Sequence, residues 1–129
     1  MGNIRTGRLW VWLALFAWAT GPAAARPMDP TGNWLRDNGR VRMMVSRCGE
    51  DFCAVNTWVK RPEGPEKVGD RIILKMHPVS DSRYQGLAYD VRRGLTYRMT
   101  VTLQGNRMET SGCVLFGVIC KGIGWRRLN

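Results

Sequence analysis

From Val41 onward, apolar and polar residues alternate with a period of two in short runs. Between Thr96 and Leu103, residues Tyr97, Met99, Val101 and Leu103 fall on one face, with Thr96, Arg98, Thr100 and Thr102 on the other. That pattern predicts a half-buried strand whose β-branched polar residues meet water. Val41, Met43 and Val45 alternate likewise with Arg42, Met44 and Ser46, and Ile72, Leu74 and Met76 with Ile73, Lys75 and His77. Turn residues separate the runs: Asp37-Asn38-Gly39, Ser80-Asp81-Ser82, Arg92-Arg93-Gly94 and Gly105-Asn106. Gly and Asn supply the positive φ that tight hairpins require. The one long connection, Arg61 to Gly69, is too rich in Pro and Gly for a regular element. The segmentation predicts eight strands, near 32–35, 41–48, 53–59, 70–77, 83–90, 95–103, 107–114 and 120–127.

Eight short antiparallel strands joined by tight turns would leave two exposed edges as an open sheet, and closure removes them. The expected fold is therefore all-β: a small eight-stranded antiparallel up-and-down barrel, with a two-layer β-sandwich as the alternative. The inward positions carry Met, Trp, Tyr and Ile, so the interior should hold a narrow cavity at most.

The N-terminus breaks this pattern. Arg5 and Arg8 precede an uncharged run from Leu9 to Ala19, followed by Thr20-Gly21-Pro22 and Ala23-Ala24-Ala25. A basic start, an apolar centre and small residues at a cleavage site form the order of an export signal. The run is well short of the about 20 apolar residues that a membrane-spanning helix needs. The expectation is a signal peptide over residues 1–25, cut between Ala25 and Arg26, and one domain over 26–129. No transmembrane segment is then expected in the processed chain, and its location is periplasmic or secreted.

At 129 residues the chain has room for one such domain, and 44% hydrophobic with 23% charged residues excludes wholesale disorder. Its four cysteines, Cys48, Cys53, Cys113 and Cys120, all follow the leader. In an exported protein an even number of cysteines reads most simply as disulfides. A zinc site fits poorly, because the pairs are too widely spaced and no nitrogen ligand lies nearby. A redox pair would use Cys-x-x-Cys before a helix, and neither pair has that spacing. No metal and no cofactor are expected. Three pairings are open in principle. Each local pair flanks a short Gly-containing loop between two strands, which favours Cys48–Cys53 and Cys113–Cys120, worth about 2–2.5 kcal/mol each by loop closure.

An ordered set of residues resembles the bacterial family catalogued as domain of unknown function 2147. It comprises Gly32-Asn33-Trp34, Cys48-Gly49-x-x-Phe52-Cys53, Trp58, Gly69-Asp70, Tyr84-x-Gly86-x-Ala88-Tyr89 and Gly94-x-Thr96-Tyr97. Cys113-Val114-Leu115, Ile119-Cys120 and Trp125-Arg126-Arg127 complete it. The pattern departs at Ala54, where the family tends to have Gly, and at Asn56-Thr57, where it tends to be apolar. The resemblance implies an exported single-domain β-barrel, lipocalin-like in outline, with no established activity. The lipocalin likeness has a physical reading: Gly-x-Trp on the first strand lays an indole across one barrel end, and an Arg of the last strand covers it. Such a cation–π contact contributes about 0.5–2 kcal/mol. Trp34 with Arg126 is the expected structural lock, Arg127 being the neighbouring choice.

No catalytic constellation is present. His77 is the sole histidine and lacks a partner, and no nucleophile elbow, phosphate loop or zincin pattern occurs. The protein is expected not to be an enzyme. The leading expectation is binding of a small apolar ligand in the barrel, with Trp58, Tyr84, Tyr89, Tyr97 and Met99 as wall residues, since aromatic rings and Met adapt to varied ligands. The alternative partner is an anionic lipid or envelope polymer, drawn by a formal charge of +10. Export makes nucleic acid an unsuitable partner.

Overall fold

The computed structural model describes residues 2–3, 7, 12–18, 21, 27–114 and 117–129. The expected cleavage point, Ala25 and Arg26, lies outside the described residues. Within 12–18 there is no helix or strand, and Trp12, Leu13, Leu15, Phe16 and Trp18 are exposed.

Eight strands follow one another: β1 Gly32–Arg36, β2 Val41–Cys48, β3 Asp51–Val59, β4 Arg71–Pro78, β5 Arg83–Asp90, β6 Leu95–Gln104, β7 Arg107–Val114 and β8 Ile119–Arg127. Each pairs antiparallel with its neighbour, and β1 pairs with β8 through Trp34–Arg127, Leu35–Arg126 and Arg36–Trp125. That last ladder closes the barrel, which excludes the two-layer sandwich. Period-two patterning sets the faces. In β2, Val41, Met43 and Val45 are buried while Arg42 and Met44 face out. Val101 and Leu103 of β6 meet Met108 and Trp125 in the same core.

One irregularity redirects side chains. Arg42 pairs with Trp58 and Met43 with Asn56, so Thr57 is an extra residue on β3. An extra residue reverses the inward–outward alternation beyond it. Val59 is therefore buried, and Trp58 turns outward at 40% exposure.

The two barrel ends differ. The turns 49–50, 79–82 and 105–106 lie at one end, and the lead-in to β1 closes it. The Trp34 indole donates to the Pro30 carbonyl at 2.9 Å, and the Tyr84 hydroxyl donates to the Met28 carbonyl at 2.7 Å. The turns 37–40, 91–94 and 117–118 and the long loop 60–70 lie at the other end, the mouth.

Both local disulfides form, Cys48–Cys53 and Cys113–Cys120, with Cα atoms 5.8 and 4.0 Å apart. Cys113 and Cys120 face each other directly across the β7–β8 ladder. Cys48 and Cys53 are offset, since Cys48 pairs with Asp51 and Cys53 with Ser46.

Candidate functional site

The expected lock exists with Arg127 in place of Arg126. The Arg127 guanidinium lies 4.3 Å from the centre of the Trp34 ring. Residues paired directly across two strands share a face, and Trp34 pairs with Arg127. Arg126, one position earlier, pairs with Leu35 and points into solvent. Gly32 makes room for the contact: its φ is +130°, and a Cβ there would meet Arg127 Nη1 at 2.9 Å.

Above this plug the barrel encloses a cavity of about 130 Å³. Its apolar wall residues within strands come from β2 to β8, with Met43, Phe52, Leu74, Met99, Val101 and Ile123 prominent. The narrow interior expected from bulky inward residues is what the fold contains. Three of the five expected wall residues, Tyr84, Tyr97 and Met99, line it. Trp58 and Tyr89 do not. The β3 bulge sends Trp58 outward, where the Arg42 guanidinium stands 5.3 Å from its ring centre. Tyr89 is five residues from Tyr84 in one regular strand, so the two cannot share a face. It sits instead in a depression of the outer wall with Ile73 and Leu87.

Tyr97 owes its place to Gly112. A Cβ at Gly112 would stand 2.9 Å from the Tyr97 ring, so only a bare backbone lets the ring lie flat on β7. Burial raises the Tyr97 phenol above its ordinary pKa, with the Asp90 carboxylate adding to the effect. Tyr84 is raised by the same desolvation. Both rings are therefore neutral, and each presents an apolar face edged by a hydroxyl.

Toward the mouth the cavity becomes polar. Arg36, Asn56, Glu66, Asp70, Asp90, Arg93 and Thr110 line that end. Arg36 donates from Nη1 to Glu66 at 2.6 Å, and its guanidinium lies 5.1 Å from the centre of the Trp125 ring. Trp125 is itself fixed, donating to Thr110 at 3.1 Å. Arg92 binds Asp70 with two donors, one at 2.9 Å, and the backbone N–H of Lys67 adds a third at 3.0 Å. These hold the Asp70 carboxyl below its ordinary pKa, Arg92 chiefly, against a smaller opposing effect of burial. Arg93 pairs with Asp90 at 2.7 Å. Three arginines thus face three carboxylates, and the cluster is formally neutral. Glu66 and Arg93 are each about one-third exposed, so this end meets water.

One donor is left over. Arg36 Nε is buried and has no hydrogen-bond partner among the described residues. A buried polar group without a partner costs about 1–3 kcal/mol, more when charged. Sequence reasoning passed over Arg36, although it lies two residues beyond the buried Trp34 and so shares its inward face. An arginine at an inward position was the signal.

The family model described as "Uncharacterized protein conserved in bacteria (DUF2147)" matches residues 32–127. The chain belongs to this family. The match begins at the first residue of β1 and ends at the last of β8, so the family unit is the barrel. No curated protein and no solved structure matches the chain.

Proposed function

We propose that this DUF2147 protein is an exported, non-catalytic binding protein whose barrel takes a small apolar molecule bearing one hydrogen-bond acceptor. The observation that carries this reading is the apolar cavity lined at its polar end by Arg36, whose buried Nε has no partner among the described residues. A dry apolar space of this order accommodates a ligand of about benzene size. The balanced charges around Arg36 favour a neutral acceptor, such as a carbonyl or hydroxyl oxygen, over a free anion. Export to the periplasm or beyond is supported by the signal-like N-terminus and by two disulfides, which persist in oxidising compartments.

Native mass spectrometry of protein purified from its own host tests the reading. A co-purifying molecule of fewer than about ten heavy atoms, lost on mild heating, is the expected result. An empty barrel whose melting temperature is insensitive to millimolar cyclohexanone, and which is stabilised by Met99→Trp, would make the cavity a packing defect instead.

A further inference from the structure

The barrel is polarised along its axis. At the mouth, Val68, Val91, Leu95, Val114, Val118 and Ile119 are all 45% or more exposed, from Val91 at 45% to Val118 at 81%. They come from the β3–β4 loop and from the β5–β6 and β7–β8 hairpins. Among the described residues the closed end shows only Val79 in that class. Val114 pairs with Ile119, and both share the inward register of Ile123. Gly112 and Lys121 separate them from Thr110 and Ile123, so they form an apolar tip beyond the polar mouth. The Cys113–Cys120 bridge staples the hairpin that bears them. Exposed apolar residues gathered at one site mark an interaction surface.

Charge follows the same axis. Arg40, Lys60, Arg61 and Lys121 stand exposed around the mouth and form no ion pair among the described residues, with Glu63 the one carboxylate there in that condition. At the closed end exposed Asp29, Glu50 and Asp81 are balanced by exposed Arg47, Arg83 and Arg126, none of them in an ion pair among the described residues. A basic rim around apolar tips, with a charge-balanced far end, is complementary to one kind of partner: an anionic lipid surface. Apolar side chains enter the headgroup region while Lys and Arg remain at the phosphates. We infer that the protein docks mouth-down on anionic membranes, with Val118 and Val68 among the inserting side chains. The cavity would then open toward the bilayer, a natural source of small apolar molecules.

Co-sedimentation of the full chain with vesicles tests this, comparing pure phosphatidylcholine with vesicles one-third phosphatidylglycerol. Binding should need phosphatidylglycerol and fall steeply as salt rises. Val118→Asp with Val68→Asp should weaken it about tenfold, and Lys60→Gln with Arg61→Gln roughly fivefold per residue. Asp81→Asn, at the closed end, should not weaken it. Circular dichroism should show each variant folded. The apolar residues of 12–18 are replaced by Ser in a further variant, which should retain binding. Loss of binding in that variant, or undiminished binding by Val118→Asp with Val68→Asp, would overturn the proposal. So would a concentration-dependent dimer abolished by Val118→Asp, since the rim would then serve a second copy of the chain. A ligand-loaded barrel that ignores vesicles would sink the docking alone, and leave the binding reading standing.

Discussion

Arg127 and Trp34 face each other across the ladder that closes the barrel, guanidinium over indole at 4.3 Å. The same guanidinium donates to the Thr31 carbonyl at 2.6 Å and the Asp29 carbonyl at 3.0 Å. It thus ties the last strand, the first strand and the plugging segment together. Trp34 is fully buried, and truncating a buried Trp to Ala costs about 3–5 kcal/mol.

Arg127→Ala should therefore lower stability by about 1.5–3 kcal/mol, the range for hydrogen bonds from a charged group. Arg126→Ala, whose side chain is exposed, should stay within about 0.5 kcal/mol of the parent. Urea unfolding followed by tryptophan fluorescence separates them. Equal effects of the two substitutions would remove the lock from the account of stability.

The two disulfides close loops of similar length and should contribute similarly, about 2–2.5 kcal/mol each. Their accessibility differs, because Cys53 is 4% exposed while Cys120 stands in the open at the mouth. Limited dithiothreitol should therefore reduce Cys113–Cys120 first. Alkylation with mass mapping after short exposure reads the order, and Cys48 and Cys53 labelled ahead of the other pair would contradict it.

Much of this architecture was legible because alternation and turn chemistry agree along the chain. Val41-x-Met43-x-Val45 and Tyr97-x-Met99-x-Val101 mark their faces without help from the rest of the fold. Cys113 and Cys120 announce their pairing by flanking one hairpin tip. The illegible part came from events that a local pattern does not register. The extra residue at Thr57 reverses the face of Trp58, and only pairing with β2 reveals it. Arg36, Glu66, Asp90 and Arg93 meet at the mouth although the loop bearing Glu66 has no periodicity to place it. Tyr89 was readable, since its distance from Tyr84 in one strand already set the two on opposite faces.

Acid should weaken the mouth cluster through Asp70. Its folded pKa lies below the ordinary 3.8, chiefly because Arg92 donates to it. A carboxylate with a lowered folded pKa stabilises the native state at pH values above its unfolded pKa, and that stabilisation fades as pH falls toward and through the folded value. Asp70→Asn should be less stable than the parent at pH 7, with the gap narrowing below about pH 4. Unfolding midpoints at the two pH values decide it. A gap that is the same at both would show that the Arg92 pairing carries no pH-linked stability.

The unpartnered Arg36 Nε gives the most specific expectation about binding. Cyclohexane and cyclohexanone have nearly the same shape, and only the ketone offers an acceptor. If Nε–H meets the ligand oxygen, the parent should prefer cyclohexanone, and Arg36→Met should lose that preference by about ten- to a hundredfold, the worth of a hydrogen bond from a charged donor. Cyclohexane should bind both forms alike, since methionine keeps the apolar wall continuous. Glu66→Gln serves as the control: it alters the partner of Nη1 and leaves Nε in place, so the ketone preference should survive. Thermal shifts over a concentration series read all three proteins. A parent that binds both molecules equally would mean that Nε does not meet the ligand, and Arg36 would then serve the barrel through its ion pair with Glu66 and its stacking on Trp125.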